Sequence, residues 1–138
     1  MMDAFDRFGL LINDRVVRTP VAVASMAGIV DADYLLARRD HIGLGFIGGY
    51  SIDEPTIEAA KVVAEGDGRK EFLPEDPIAE LKVQVAKMEK SDVIPGINLR
   101  GSLPDSFSRV AQALGDAVVY EIDAHCRQPA MIAAGSGE

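Results

Sequence analysis

Apolar runs alternate with amphipathic stretches along most of this chain, and the alternation predicts its elements. Phe8-Gly9-Leu10-Leu11-Ile12 and Val16-Val17-Arg18-Thr19-Pro20 flank Asn13-Asp14-Arg15, a turn-forming cluster, which reads as an N-terminal hairpin. Val21-Ala22-Val23-Ala24-Ser25 is a near-continuous apolar run, the pattern of a strand buried on both faces of a parallel sheet. Ala27-Gly28 makes a loop, Asp31 is placed to cap a short helix, and Tyr34, Leu35 and Leu36 start that helix, which ends near Asp40. Ile42 to Ile47 reads as a second strand in spite of Gly43 and Gly45, and Gly48-Gly49 then lets the backbone turn or approach a ligand.

A second helix is expected from about Glu54 to Glu65, with Pro55 in its first turn and Gly66 as its stop. Asp76-Pro77 is a cap followed by a first-turn proline, and Ile78, Leu81, Val85 and Met88 fall on one face of a helix reaching about Ser91. Val93 to Leu99 is the third strand. Ser102 is placed as a cap, with Asp105 following in the first turns, and Phe107, Val110, Ala111 and Leu114 mark the next helix. Val118 to Ile122 is the fourth strand. The chain therefore divides into a hairpin over residues 1–19 and a βα-repeating body over residues 20–138. Such an order favours parallel strands with right-handed crossovers, and it fits an open doubly wound sheet or a (β/α)8 barrel equally.

Composition narrows the functional classes. The 138 residues, 48% hydrophobic and 26% charged, suffice for one globular core. The apolar runs are too short for a membrane span, and acids at Asp3 and Asp6 stand where a secretory leader would be basic, so the expected address is the cytoplasm. A single cysteine and two scattered histidines, His41 and His125, give no metal-ligand spacing, so no metal is expected and any cofactor should be organic. A net charge of −8 repels a phosphate backbone unless positive charges are grouped, and no grouping is evident.

The chemistry gathers at the ends of the proposed strands. These ends supply Ser25-Met26-Ala27-Gly28, Gly48-Gly49-Tyr50-Ser51, Asn98-Leu99-Arg100-Gly101 and Asp123-Ala124-His125-Cys126-Arg127. In either parallel architecture they fall on one rim, where ligands bind. Small residues let a flat ring lie against backbone, and Asn98 offers both a donor and an acceptor to the edge of a heterocycle. Glycine-rich phosphate fingerprints are lacking. An average lone cysteine packs in a core, whereas Cys126 follows a strand among polar residues, which favours a functional role. Arg69, Lys70 and Arg100 read as solvated surface charges, and Tyr50 as a core or stacking ring.

Three separated segments resemble a known family. Ala24-Ser25-Met26-Ala27-Gly28-Ile29-Val30-Asp31 is similar to the first-strand motif A-P-M-x-G-x-T-D of tRNA-dihydrouridine synthases. Asn98-Leu99-Arg100-Gly101 resembles their Q-L-x-G segment, and Glu121-Ile122-Asp123-Ala124-His125-Cys126-Arg127 their E-I-N-x-G-C-P. The likeness runs from Pro20 to Pro129 and is nearest to an archaeal branch of synthase-like barrel proteins. It implies the N-terminal half of an FMN-binding (β/α)8 barrel in which NADPH-reduced flavin saturates the C5–C6 bond of uridine in tRNA. Cys126 would be the catalytic proton donor. Ala24, Ser25, Met26 and Asn98 would contact the flavin, and Asp123, His125 and Arg127 the substrate.

The chain departs from the family at Ser25, Asp123, His125 and Arg127, which replace Pro, Asn, Gly and Pro. Arg127, and His125 if protonated, favour a thiolate at Cys126, whereas Asp123 favours the thiol that could donate a proton. Dihydroorotate dehydrogenases are the rival resemblance, since Arg18 to Ser25 partly echoes their N-P-x-x-x-A-S pattern, and their substrate would be a small free pyrimidine. A complete barrel needs about 250 residues. The chain is accordingly expected to be the front half of an enzyme. The alternatives are a half-barrel assembly module that pairs through its open edge and a fragment with no catalysis of its own.

Overall fold

A computed structural model describes residues 9–137. Phe8, Asp3 and Asp6, on which part of the hairpin and leader readings rest, lie outside the described residues. The hairpin forms from β1 (Leu11–Ile12) and β2 (Arg15–Val16), antiparallel, with Leu11 opposite Val16 and Ile12 opposite Arg15. Its turn is Asn13-Asp14 alone, both at positive φ (49° and 59°), the backbone that a two-residue hairpin needs and that Asn and Asp tolerate best. Arg15, expected in the turn, belongs to β2. The hairpin closes the N-terminal end of the sheet. Asn13 Nδ2 donates to the carbonyls of Asp116 (3.1 Å) and Val118 (3.2 Å), and Arg15 Nη2 to those of Ser91 (3.5 Å) and Val93 (3.4 Å).

The body is a four-stranded, wholly parallel sheet in the order β3 (Ala22–Val23), β4 (Leu44–Ser51), β5 (Ile94–Arg100), β6 (Val119–Ile122). Its helices are α1 (Ala32–Leu36), α2 (Glu54–Asp67), α3 (Pro77–Met88), α4 (Pro104–Leu114) and α5 (Pro129–Ala133). Strand neighbours are sequential, as expected of repeated βα units. Asp31 caps α1 through the Tyr34 N–H (2.8 Å), and Asp76 caps α3 through the Ile78 and Ala79 N–H groups (3.0 Å each).

Alternation along the strands separates two faces. Val23, Ile47, Ile97, Leu99 and Tyr120 join Leu35, Leu81, Val85, Met88 and Val110 in the main core beneath the helices. Two glycines within the strands are packing devices. A Cβ on Gly45 would collide with Leu35 of α1, and one on Gly96 with the Phe46 ring across the other face.

Several expectations need correction. Val21 to Ser25 is not buried on both faces: only Ala22–Val23 is strand, it forms one edge of the described sheet, and Val21 is 50% exposed because no strand of the described residues lies beyond it. Helix α2 runs past Gly66 to Asp67 and ends at Gly68, whose φ of 62° supplies the left-handed cap. Ser102 does not cap α4. Leu103 occupies that place with no side-chain cap bond, and the buried Asp53 holds Ser102 and Leu103, the two residues before the helix, from another loop.

Asp53 Oδ2 accepts the N–H groups of Ser102 (2.7 Å) and Leu103 (2.9 Å), while Oδ1 accepts the N–H (3.2 Å) and hydroxyl (2.7 Å) of Thr56 at the start of α2. One carboxylate therefore staples the loops that follow β4 and β5. Burial pushes its pKa up, but the bonds from Thr56, Leu103 and Ser102 outweigh burial and hold it below the ordinary value. A depressed native pKa means that the unfolded chain takes up the proton first. The contribution is thus complete above the unfolded value of about 3.9 and is lost as pH falls from there through the native pKa. Asp53→Ala should cost about 2 kcal/mol in urea denaturation at pH 7, with the gap to the parent narrowing on acidification below about pH 4. A gap that stays constant down to pH 2.5 would refute the assignment.

Candidate functional site

The C-terminal ends of β3 to β6 and the loops after them enclose a cavity of about 470 Å³. Ser25, Met26 and Ala27 line it from the segment after β3, Gly49 from β4, Asn98 and Arg100 from β5, and Asp123, His125, Cys126, Arg127 and Gln128 from the loop after β6. Arg69 and Glu71 enter from the segment after α2. Of the residues singled out in the sequence, Ser25, Met26, Asn98, Asp123, His125, Cys126 and Arg127 come together here. Ala24 does not line the cavity.

Parallel pairing explains the convergence. Asn98 stands opposite Glu121 in the β5–β6 register, and its Nδ2 donates to Glu121 Oε1 (2.7 Å). Ser25 Oγ, arriving from the far edge strand, donates to the same oxygen (3.0 Å). Glu121 thus ties three strand ends together. Asp123 continues the ladder beyond β6, its N–H donating to the Leu99 carbonyl (2.9 Å).

Cys126 is buried, at 8% exposure, and packs with Ala59 and Ala60 of α2 and Met131 of α5 while lining the cavity. Its Sγ lies 3.7 Å from Gln128 Oε1, an S–H···O contact. His125 and Arg127, its neighbours in sequence, are exposed.

Arg100 departs from its reading as a solvated charge, and Tyr50 follows its reading as a core or stacking ring. Arg100 is no solvated charge: its side chain is 5% exposed, and it forms a two-pronged ion pair with Glu71, whose side chain is 1% exposed. Tyr50 is core and takes no part in the cavity. It stacks on Phe72 with ring centroids 4.8 Å apart, and burial, followed by the nearby charges of Glu80 and Asp31, pushes its hydroxyl pKa far up. Glu71 went unseen because it sits in an irregular stretch and meets Arg100 only through the fold. Gly49, from the glycine pair expected to approach a ligand, also lines the cavity, as do Arg69 and Gln128, which no spacing rule marks.

A larger hollow of about 610 Å³ runs along α4 from Leu103 to Gln112. Its lining comes from that one helix and the residue before it, and its arginine, Arg109, donates to Ser106 Oγ (3.2 Å). Among the described residues no three of His, Cys, Asp and Glu gather to hold a metal ion, and no helix is long and apolar enough to cross a membrane.

No family model matches this chain, and no solved structure does. It is 31% identical over 121 residues to an uncharacterized protein of Methanocaldococcus jannaschii, an alignment that takes in 86% of this chain and 46% of that protein. The chain thus spans about half the length of the curated relative it matches.

Proposed function

We propose that this chain is the N-terminal half of a flavin-dependent (β/α)8-barrel oxidoreductase that reduces the C5–C6 bond of uridine in tRNA, with FMN as cofactor and NADPH as reductant. One observation carries the reading. The three segments that resemble dihydrouridine synthases, far apart in sequence, line a single cavity at the C-terminal ends of parallel strands, where barrel enzymes keep their chemistry.

The cavity suits the ring of a flavin. Ser25 to Ala27 and the bare backbone of Gly49 offer a surface against which a flat heterocycle can lie, and the oxygen of Asn98 is left open once its Nδ2 is spent on Glu121. Its buried cation offers a phosphate little charge, since the guanidinium of Arg100 is already neutralised by Glu71. Barrel enzymes commonly hold phosphate on the loops after strands seven and eight, and the M. jannaschii relative, about twice as long as the matched region, has room for such strands. Further strands would also cover the two edges of the sheet, where Val21 is 50% and Ile122 58% exposed.

Bound flavin would supply hydride to the pyrimidine. Cys126 supplies the proton from Sγ, on a loop held to β5 by the Asp123–Leu99 hydrogen bond. Asp123, His125 and Arg127 orient the base or its sugar-phosphate.

A version extended to the length of the relative should purify yellow with FMN absorbance, whereas the 138-residue chain should lose FMN on gel filtration. An extended protein that stays colourless and fails to bind added FMN would remove the reading. Tight, stoichiometric FMN on a monomer of the 138-residue chain would show that this half holds the phosphate.

A further inference from the structure

Arg100 leaves one polar atom unexplained. Its Nη1 and Nη2 serve Glu71, and Nη2 also reaches the Gly49 carbonyl (3.4 Å), yet Nε is buried with no hydrogen-bond partner among the described residues. Buried N–H groups are rarely left so, and one beside a cavity calls for an acceptor from a ligand. Nε lies 3.5 Å from the point that a Cβ on Gly49 would occupy, and Asn98 Oδ1 lies 2.5 Å from the same point. Gly49 itself lines the cavity. With Nδ2 of Asn98 committed to Glu121, the bare Gly49 backbone is therefore flanked by one open donor and one open acceptor.

The charge balance selects the kind of acceptor. Glu71 already neutralises the guanidinium through two oxygens, so Nε–H has a hydrogen bond to give but no unpaired charge, which suits a neutral carbonyl better than a phosphate or carboxylate. A donor beside an acceptor is the complement of a –C(=O)–NH– edge.

We propose that Gly49, Asn98 and Arg100 form a subsite for the imide edge of a flat heterocycle, whose N–H donates to Asn98 Oδ1 while the adjacent carbonyl accepts from Arg100 Nε. Glu71 is the positioning residue that fixes the guanidinium. The inference deepens the flavin and uridine reading above and rests on it for the choice of ligand. A uracil base and the pyrimidine ring of a flavin both carry this edge.

The test titrates the ¹⁵N-labelled 138-residue chain with uridine, lumiflavin and the N3-methyl derivative of each, following the Arg100 Nε–H resonance. One parent should shift that resonance saturably, and its N3-methyl form should bind about tenfold weaker or less, having lost a hydrogen bond. The parent that does so identifies which ring the subsite takes. Arg100→Lys keeps a positive charge near Glu71 but has no N–H at the Nε position, and should abolish the preference for the parent over its methyl form. Gly49→Ala should exclude both parents; if it fails to fold, the methyl contrast and Arg100→Lys still decide. Equal binding of parent and methyl forms, or no shift at Arg100 up to millimolar probe, overturns the proposal. Uridine discrimination by a protein whose extended form binds no FMN would keep the subsite and sink the flavin reading. FMN binding by the extended form without any methyl effect would do the reverse.

Discussion

In a protein extended to the length of its relative, Cys126→Ala should lower the rate of uracil reduction by about a hundred- to ten-thousand-fold, the usual worth of a positioned general acid. Flavin content and NADPH oxidation should stay near the parent level, because the thiol acts only in the proton step. The site sets a second condition on this experiment. Cys126 is packed against Ala59, Ala60 and Met131, so removing the sulfur also opens a small gap in that cluster. Cys126→Ser fills more of the gap and keeps a proton on a much weaker acid. It should recover stability but little activity. If either variant reduced the pyrimidine at the parent rate, the sulfur would be a packing group and the proton would come from elsewhere.

Glu71→Ala should destabilise the fold by about 3–5 kcal/mol, the range found when one partner of a buried ion pair is removed and the other is left charged and dry. Both side chains are largely enclosed, at 5% and 1% exposure, so little hydration offsets the cost. The companion expectation separates the pair from its desolvation. Glu71→Leu combined with Arg100→Met removes both charges and should return most of the lost stability, since hydrophobic replacement of a whole buried pair is often neutral. Urea denaturation of the two single variants and the double variant measures the coupling. A Glu71→Ala variant within 1 kcal/mol of the parent would mean that water or another group compensates Arg100. The pair that anchors the β5 end to the segment after α2 also leaves Arg100 Nε buried without a partner among the described residues, so stability and the proposed recognition share one guanidinium.

Much of the architecture was legible because it is decided by short-range physics. Asn13-Asp14 can take the two positive φ angles of a tight hairpin, Asp31 and Asp76 can cap the helices that follow them, and Pro77 suits a first turn. The apolar runs at Ile42–Ile47, Val93–Leu99 and Val118–Ile122 announced strands, and the helices between them made parallel pairing the economical arrangement. Most of the cavity lining followed at once, since parallel strands bring their C-terminal ends to one rim.

What the sequence could not convey depended on which distant groups become neighbours. Val21 to Ser25 has the composition of a buried strand, but exposure depends on whether a strand lies beyond it, and in the described sheet none does. Asp53 drew no notice in the sequence, and only the approach of the loop after β5 let one carboxylate cap α2 and hold the residues that lead into α4. Arg100 looked like a solvated charge until Glu71, from an irregular segment, enclosed it. Local propensity and periodicity determined the strands, the helices and the rim on which their ends meet. Burial and charge pairing are properties of the packed chain, and they alone decided that Arg100 is enclosed with Glu71, that Cys126 stands between core and cavity, and that the Nε of Arg100 is buried without a partner among the described residues.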